Sequence, residues 1–194
     1  MADVKIFYLR TENFLPLLDN MPDKEYIKYS EGRIFKTEKR REQFCLGRYL
    51  LKQVLEQIYG IISPKIETLD RKPFVADCAV KFNLSHSKNI IMAAFSDIEL
   101  GLDIEYMKGR DFESILNYLK RTEKNTDIDT FYRFWTKYEA GIKLKKEIGH
   151  CYSTKLGKDF MFSVCTESKK PFLPELTELF CADNAVFYRQ LTVQ

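Results

Sequence analysis

An α+β fold is predicted by two long amphipathic helical patterns set apart by runs of short, strand-like segments, in a chain with no stretch apolar enough to span a bilayer. The N-terminus opens as a strand, Val4, Ile6 and Tyr8 alternating with Lys5, Phe7 and Leu9. From Thr37 the first helical pattern begins, with Phe44, Leu51, Leu55 and Ile58 on one stripe, Leu50 and Val54 beside it, and Gly60 as the stop. Ser63-Pro64 breaks the chain, and strand-like runs follow at about 65–69, 80–85, 89–96 and 98–105. Asp111 is placed to cap a short helix over 112–120, and Arg121 to Asp127 reads as a surface loop. The second long helix is expected from about Asp129 to Glu147, with Phe131, Trp135, Tyr138 and Ile142 as its apolar stripe and Gly149 beyond its end. Strands are expected again over 159–166 and 185–193, on either side of a turn region holding Lys169-Lys170-Pro171 and Pro174. The elements sort into two similar halves, each one helix and a few strands.

Composition narrows the function classes. The chain has 194 residues, 45% hydrophobic and 30% charged, an ordinary globular balance that excludes disordered and collagen-like readings. A chain of this size buries roughly 70% of its unfolded surface and needs no staple. Lys plus Arg is 31 against 28 for Asp plus Glu, and a net charge of +3 does not make a nucleic-acid track. The longest apolar run, Ile90 to Phe95, falls far short of the roughly 18 residues of a membrane span. No basic-then-apolar leader opens the chain, so the cytoplasm is the expected compartment. Cys45, Cys78, Cys151, Cys165 and Cys181 are scattered without a C-x-x-C pair, which points to reduced thiols. His86 and His150 alone cannot build a histidine cage, so a divalent ion here would sit on carboxylates, favouring magnesium or manganese over zinc.

Four segments carry chemistry. In Gly101-Leu102-Asp103-Ile104-Glu105 the acidic residues are two apart, so on a strand both carboxylates leave one face while Leu102 and Ile104 turn to the core. Phe82-Asn83-Leu84-Ser85-His86-Ser87 ends an apolar strand in hydroxyls and an imidazole, groups that suit a phosphate. Trp135, Glu139 and Lys143 stand four apart on one helical face, and Lys72-Pro73 precedes a strand. Each has a plainer reading alone: a solvated strand face, a self-satisfied turn, a helix-surface ion pair worth about 0.2–0.5 kcal/mol, ordinary turn chemistry.

In order and at this spacing, however, Lys72-Pro73, Phe82 to Ser87, Gly101 to Glu105, and Phe134-Trp135-Thr136-Lys137-Tyr138-Glu139-Ala140 with Lys143 resemble the motifs of the Sfp-type 4′-phosphopantetheinyl transferases, part of the holo-acyl-carrier-protein synthase superfamily. The resemblance runs over about residues 30 to 145. It implies two similar small lobes, each a long helix packed on a mostly antiparallel sheet. On this chain the lobes are 1–98, with the residues for the phosphates of coenzyme A, and 99–194, with the metal and catalytic residues. It implies transfer of the phosphopantetheine arm of coenzyme A to a serine of an apo acyl, peptidyl or aryl carrier protein, releasing adenosine 3′,5′-bisphosphate. Asp103, Glu105 and Glu139 would hold Mg²⁺, or Mn²⁺ in its place. Glu139 would be the base for the carrier serine and Lys143 would face the diphosphate. Lys72, Ser85 and His86 would hold phosphates of coenzyme A, joined by Lys28 and Arg40 from a basic N-terminal segment. A monomer is expected, with no nucleic acid or membrane as partner.

Three positions depart from the family pattern. Tyr138 stands where a lysine usually precedes the helical glutamate, with Lys137 one residue earlier and so rotated by about 100° around the helix. Lys88 replaces a small residue after Ser-His-Ser, and Arg71 replaces a glycine before Lys-Pro. Two other classes compete: a magnesium-dependent nuclease or phosphatase, and a non-catalytic binder of coenzyme A or a carrier protein that keeps the fold.

Overall fold

The computed structural model describes residues 3–19, 31–70, 72–76, 78–119, 127–182 and 185–192. In chain order the elements are β1 (Lys5–Arg10), a 3₁₀ turn (Thr11–Asn13), α1 (Leu15–Asp19), α2 (Glu38–Gln57), β2 (Ile66–Leu69), β3 (Lys72–Val75), β4 (Lys81–Ser87), β5 (Ile90–Ser96), β6 (Leu100–Tyr106), α3 (Phe112–Tyr118), α4 (Ile128–Leu144), β7 (His150–Leu156), β8 (Phe160–Thr166), β9 (Glu175–Ala182) and β10 (Ala185–Leu191). The α+β class expected from the sequence is the one observed. The expected loop over 121–126 and residue Arg71 lie outside the described residues.

Period-two alternation builds the layers. Five strands form one sheet in the order β10-β9-β1-β5-β4, and three form a second in the order β6-β8-β7; β2 and β3 make a separate hairpin. Phe7 and Leu9 of β1, and Ile91, Ala93 and Phe95 of β5, face α2, where Leu46, Leu50 and Val54 meet them. The alternate residues Ile6, Tyr8, Met92 and Ala94 face the second sheet, meeting Leu102, Ile104, Phe162 and Val164. Gly101, Asp103 and Glu105 therefore lie on the other face of β6, beneath α4. The run Ile90 to Phe95 is apolar throughout because β5 is covered on both faces.

Both long helices begin where the sequence says. The Thr37 hydroxyl accepts from the Arg40 amide, and the Asp127 carboxylate accepts from the Asp129 and Thr130 amides. The end and the face of α4 differ from expectation. Lys145, left-handed at φ 58°, stops the helix at Leu144 instead of at Glu147. Its buried face is Tyr132, Thr136, Ala140 and Leu144 with Phe131, whereas Tyr138 and Ile142 are 40% and 53% exposed. Bulk favours Tyr138 and Ile142 for the core, but the helix lies too close to β6 to seat them. The elements α1, β3, β7 and β9 are also absent from the sequence expectation.

One further expectation is corrected, after a pairing that the sequence does not announce. β9 returns to pair in parallel with β1, and β10 pairs with β9, so the last strands join the first sheet. Hydrogen bonding along β1 outweighs sequence proximity. Not all five thiols are free. Cys151 and Cys165 oppose one another on β7 and β8 and are disulfide-bonded, while Cys45, Cys78 and Cys181 stand outside any disulfide among the described residues. A cross-strand pair leaves no short sequence motif by which to find it.

Gly101 sets the distance between β6 and α4. A Cβ there would stand 2.0 Å from the Ala140 carbonyl oxygen and 2.5 Å from the Leu144 amide nitrogen, both backbone atoms that cannot swing away. Gly101→Ala should destabilise the fold by about 1–3 kcal/mol or more in urea denaturation, the cost of overpacking a rigid contact. Gly109→Ala, where an added Cβ meets nothing within 4 Å, should stay within about 0.5 kcal/mol of the parent.

Candidate active site

Asp103 sits in the middle of β6, 5% exposed, directly under the C-terminal half of α4. The Lys143 ammonium donates to its Oδ1 at 2.7 Å, and the Ser85 hydroxyl donates to the same oxygen at 3.0 Å. Lys143 also donates to Ser85 Oγ at 3.0 Å, closing a three-membered cluster drawn from α4, β4 and β6. The other carboxylate oxygen, Oδ2, is buried without a hydrogen-bond partner. A buried carboxylate oxygen left unpaired is costly, so this atom is aimed at a cation or a donor that binds from outside.

Glu105, two residues on, accepts from the Ser87 hydroxyl at 3.1 Å and from the Trp135 side chain. Burial, then the negative charge of Asp103, pushes its carboxyl above the ordinary range, with Ser87, Arg110 and Trp135 pulling the other way. Glu139 is raised by the same pair of causes, burial first and Asp103 second; Lys143 offsets the rise and Glu105 adds to it. The three carboxylates named from the sequence thus share one electrostatic neighbourhood, with Lys143 among them. Trp135, Glu139 and Lys143 keep the common helical face predicted for them. Among the described residues no three His, Cys, Asp or Glu side chains already form a metal cage. The donors nevertheless fit a hard divalent ion: they are carboxylate oxygens gathered at one place, one of them orphaned.

The β4 side of the site follows from alternation along that strand. Phe82 and Leu84 belong to the core facing α2, and His86 continues that face to its open rim. The imidazole loses hydration to the protein around it even though the residue is exposed. That desolvation, then Lys143 and Arg40, lowers its pKa, against the pull of Asp103. Arg40, in the first turns of α2, is therefore within electrostatic reach of His86. Lys72 is placed apart from the cluster; it donates to Glu99 at 3.0 Å and lines, with Pro73, Phe82 and Leu144, a cavity of about 360 Å³. Ser85, implied as a phosphate contact, is 5% exposed and spends its hydroxyl on Asp103 and Lys143. Lys28 lies outside the described residues.

Sequence reasoning misses Ser87 and Trp135 as partners of Glu105. Both are legible in principle: Ser87 is two residues after Ser85 on one strand face, and Trp135 is one helical turn before Glu139. Glu99 as the partner of Lys72 leaves no such trace, because the two approach through tertiary folding.

No protein-family model matches the chain. The curated proteins do supply relatives. 4′-Phosphopantetheinyl transferase gsp of Aneurinibacillus migulanus is 32% identical over 111 residues, covering 50% of this chain and 46% of that protein. 4′-Phosphopantetheinyl transferase Sfp of Bacillus subtilis is 27% identical over 128 residues, covering 60% and 57%. 4′-Phosphopantetheinyl transferase HetI of a Nostoc species is 27% identical over 121 residues, covering 53% and 51%. The chain spans about half the length of the curated relatives it matches. The resemblance to the Sfp-type transferases read from the motifs is supported by these relatives.

The carboxylate crowding has a direct consequence for stability. Glu105 binds its proton more tightly when folded than when unfolded, so its contribution favours the fold below the ordinary value of 4.5 and is lost as pH rises through the raised value. Glu105→Gln, which keeps an oxygen for Ser87, should therefore melt at a higher temperature than the parent near pH 7 without added metal. The gap should close as the pH falls below about 4.5 in calorimetric scans.

Proposed function

We propose that this chain is a 4′-phosphopantetheinyl transferase that moves the phosphopantetheine arm of coenzyme A to a serine hydroxyl of an apo acyl, peptidyl or aryl carrier protein. One observation carries the reading: Asp103, Glu105 and Glu139 gather around Lys143, with Asp103 Oδ2 buried and unpaired. The named relatives support it by their printed activity. In the reaction the serine oxygen bonds to the β-phosphorus, the bond from that phosphorus to the bridging oxygen breaks, and adenosine 3′,5′-bisphosphate leaves.

Asp103, Glu105 and Glu139 would hold magnesium, with manganese as the alternative. Bound there, the ion supplies Lewis-acid neutralisation of diphosphate oxygens. The protein's own groups cover the remaining needs. Glu139, made more basic by burial and by Asp103, accepts the proton of the carrier serine; a positioned base of this kind is worth about 10²–10⁴ in rate. The Lys143 ammonium faces charge that develops on the departing phosphate. His86 and Arg40 offer a cationic and hydrogen-bonding rim for the 3′-phosphate, joined by Lys28 from the basic N-terminal segment. Lys72 and Pro73 line a cavity of about 360 Å³ that would take part of the nucleotide. Two lobes, with the substrate between them, are the arrangement this reading requires. A soluble cytoplasmic monomer is part of the same proposal; among the described residues no helix is long and apolar enough to cross a membrane.

Incubating apo acyl, peptidyl and aryl carriers with coenzyme A and magnesium, followed by intact mass, tests the reading. The expected result is a gain of the phosphopantetheine mass, abolished by chelation, with Glu139→Gln lowering kcat by about 10²–10⁴ in a protein that stays folded by circular dichroism. Asp103→Ala should be similarly inactive. Absence of any mass gain with all three carrier classes would leave the non-catalytic binder as the better account, and cleavage of DNA under the same conditions would favour the nuclease.

A further inference from the structure

The three-stranded sheet carries a pair of cysteines one row away from Asp103. Antiparallel register sets Gly101 of β6, Cys165 of β8 and Cys151 of β7 side by side, and Asp103, Ser163 and Ser153 form the next row on the same face. Both rows lie beneath α4. Cys165 is fully buried against Ala140 and Leu144, and its Sγ stands 3.7 Å from the Lys137 carbonyl oxygen. Its sulfur therefore rests against the stretch of helix that carries Glu139 and Lys143. Cys151, on the edge strand β7, is half-buried.

The sulfur bridge is not what aligns these strands. Seven register pairs run from His150–Thr166 to Leu156–Phe160, and the Gly149 amide donates to the Thr166 carbonyl at 2.9 Å. Both sulfurs stay opposed when the bond between them opens, so it closes again without a search. Their access differs. Thiol–disulfide exchange proceeds by thiolate attack on one sulfur, and exposure selects Cys151 as the sulfur attacked. A thiolate of a small dithiol bonds to Cys151 Sγ, the bond to Cys165 breaks, and Cys165 leaves as a thiolate that takes up a proton. The second thiolate of the dithiol then displaces Cys151, which is protonated in turn. The dithiol ends as a cyclic disulfide, and two electrons have passed to the protein. The new Cys165 thiol finds an acceptor in place at the Lys137 carbonyl. Two unbonded sulfurs take more room than a bonded pair, however. Beside a contact as close as that of Gly101 with Ala140 and Leu144, the added volume bears on α4.

We propose that Cys151–Cys165 is a thiol–disulfide switch, entered at Cys151, whose reduction unseats α4 from β6 and disturbs the residues that the helix carries. The reducing cytoplasm proposed for this chain suits a bridge that cycles in place of a fixed staple. The kinetic part rests on the transferase reading, and the exchange chemistry does not. The full chain is equilibrated with glutathione disulfide or with dithiothreitol, then labelled in its native state with N-ethylmaleimide and mapped by peptide mass. After glutathione disulfide a cross-linked Cys151–Cys165 peptide is expected. After dithiothreitol both thiols should be recovered, Cys151 labelling faster than Cys165 by about tenfold. Reduction should also lower the melting temperature by about 5 °C or more, and kcat by about tenfold with KM for coenzyme A within about twofold. Cys151→Ser, or Cys151→Ala should the serine protein not fold, is expected to match the reduced parent in either reagent. That separates this pair from Cys45, Cys78 and Cys181. A bridge that never forms, or that persists in dithiothreitol, overturns the proposal. So does faster labelling at Cys165, or a reduction that moves neither the melting temperature nor kcat. If the chain modifies no carrier in either state, the transferase reading fails alone, and labelling order with melting temperature decides the switch.

Discussion

The absence of a side chain at Gly101 governs the rest of the site. Because β6 carries only a hydrogen where an ordinary residue would place a Cβ, the backbone of α4 at Ala140 and Leu144 lies directly on the strand. The small side chains Thr136 and Ala140 on the facing side of the helix serve the same closeness. At this separation Glu139 and Lys143, flanking Ala140 on the helix, come within electrostatic reach of Asp103 and Glu105, two and four residues beyond the glycine on the strand. A helix pushed outward by one methyl group would keep all the same residues and lose their convergence. The G-x-D-x-E spacing is therefore a packing statement as well as a chemical one.

Close approach crowds like charges, and the protein answers that crowding only in part. Lys143 and Ser85 satisfy one oxygen of Asp103; Ser87 and Trp135 serve Glu105; Asp103 Oδ2 is left unpaired. A structure optimised for stability alone would replace this group with apolar residues, since burying carboxylates together is unfavourable. The strain is stored at the place where a cation and an anionic substrate would relieve it. His86 shows the converse arrangement: desolvation and the cations Lys143 and Arg40 keep it neutral, so it can accept from or donate to a phosphate without adding charge of its own.

Much of this arrangement is legible in the amino-acid sequence. Period-two alternation places Asp103 and Glu105 on one face with Leu102 and Ile104 on the other, and the four-residue spacing places Trp135, Glu139 and Lys143 on one helical stripe. The helix starts at Thr37 and Asp127 carry their caps in plain view. What stays hidden has a common cause, in that it depends on contacts between elements. Periodicity misjudges the face of α4 because it weighs bulk, whereas the contact with β6 selects smallness. It gives no sign that β9 pairs with β1, since the two strands lie near opposite ends of the sequence. Hydroxyls beside an imidazole suggest a phosphate contact for Ser85; its bonds to Asp103, Lys143 and the Ile104 amide depend on how β4, β6 and α4 meet.

The substitution that seems most threatening, Tyr138 for the usual lysine, acquires a simple geometry. Residues 135, 139 and 143 advance by slightly more than one turn at each step and stay near one line along the helix, while 138 sits about 100° away. Tyr138 accordingly leaves that line, stacks with Phe134, meets Trp135 at a tilt and is exposed, as is Ile142 one turn on. The ring exchanges a mobile positive charge for a fixed apolar surface at the rim of the site. Nothing beneath the helix is altered, since the residues that meet β6 are Thr136, Ala140 and Leu144. The departure thus bears on what can lie over this helix, and leaves intact the acidic cluster on which the chemistry turns.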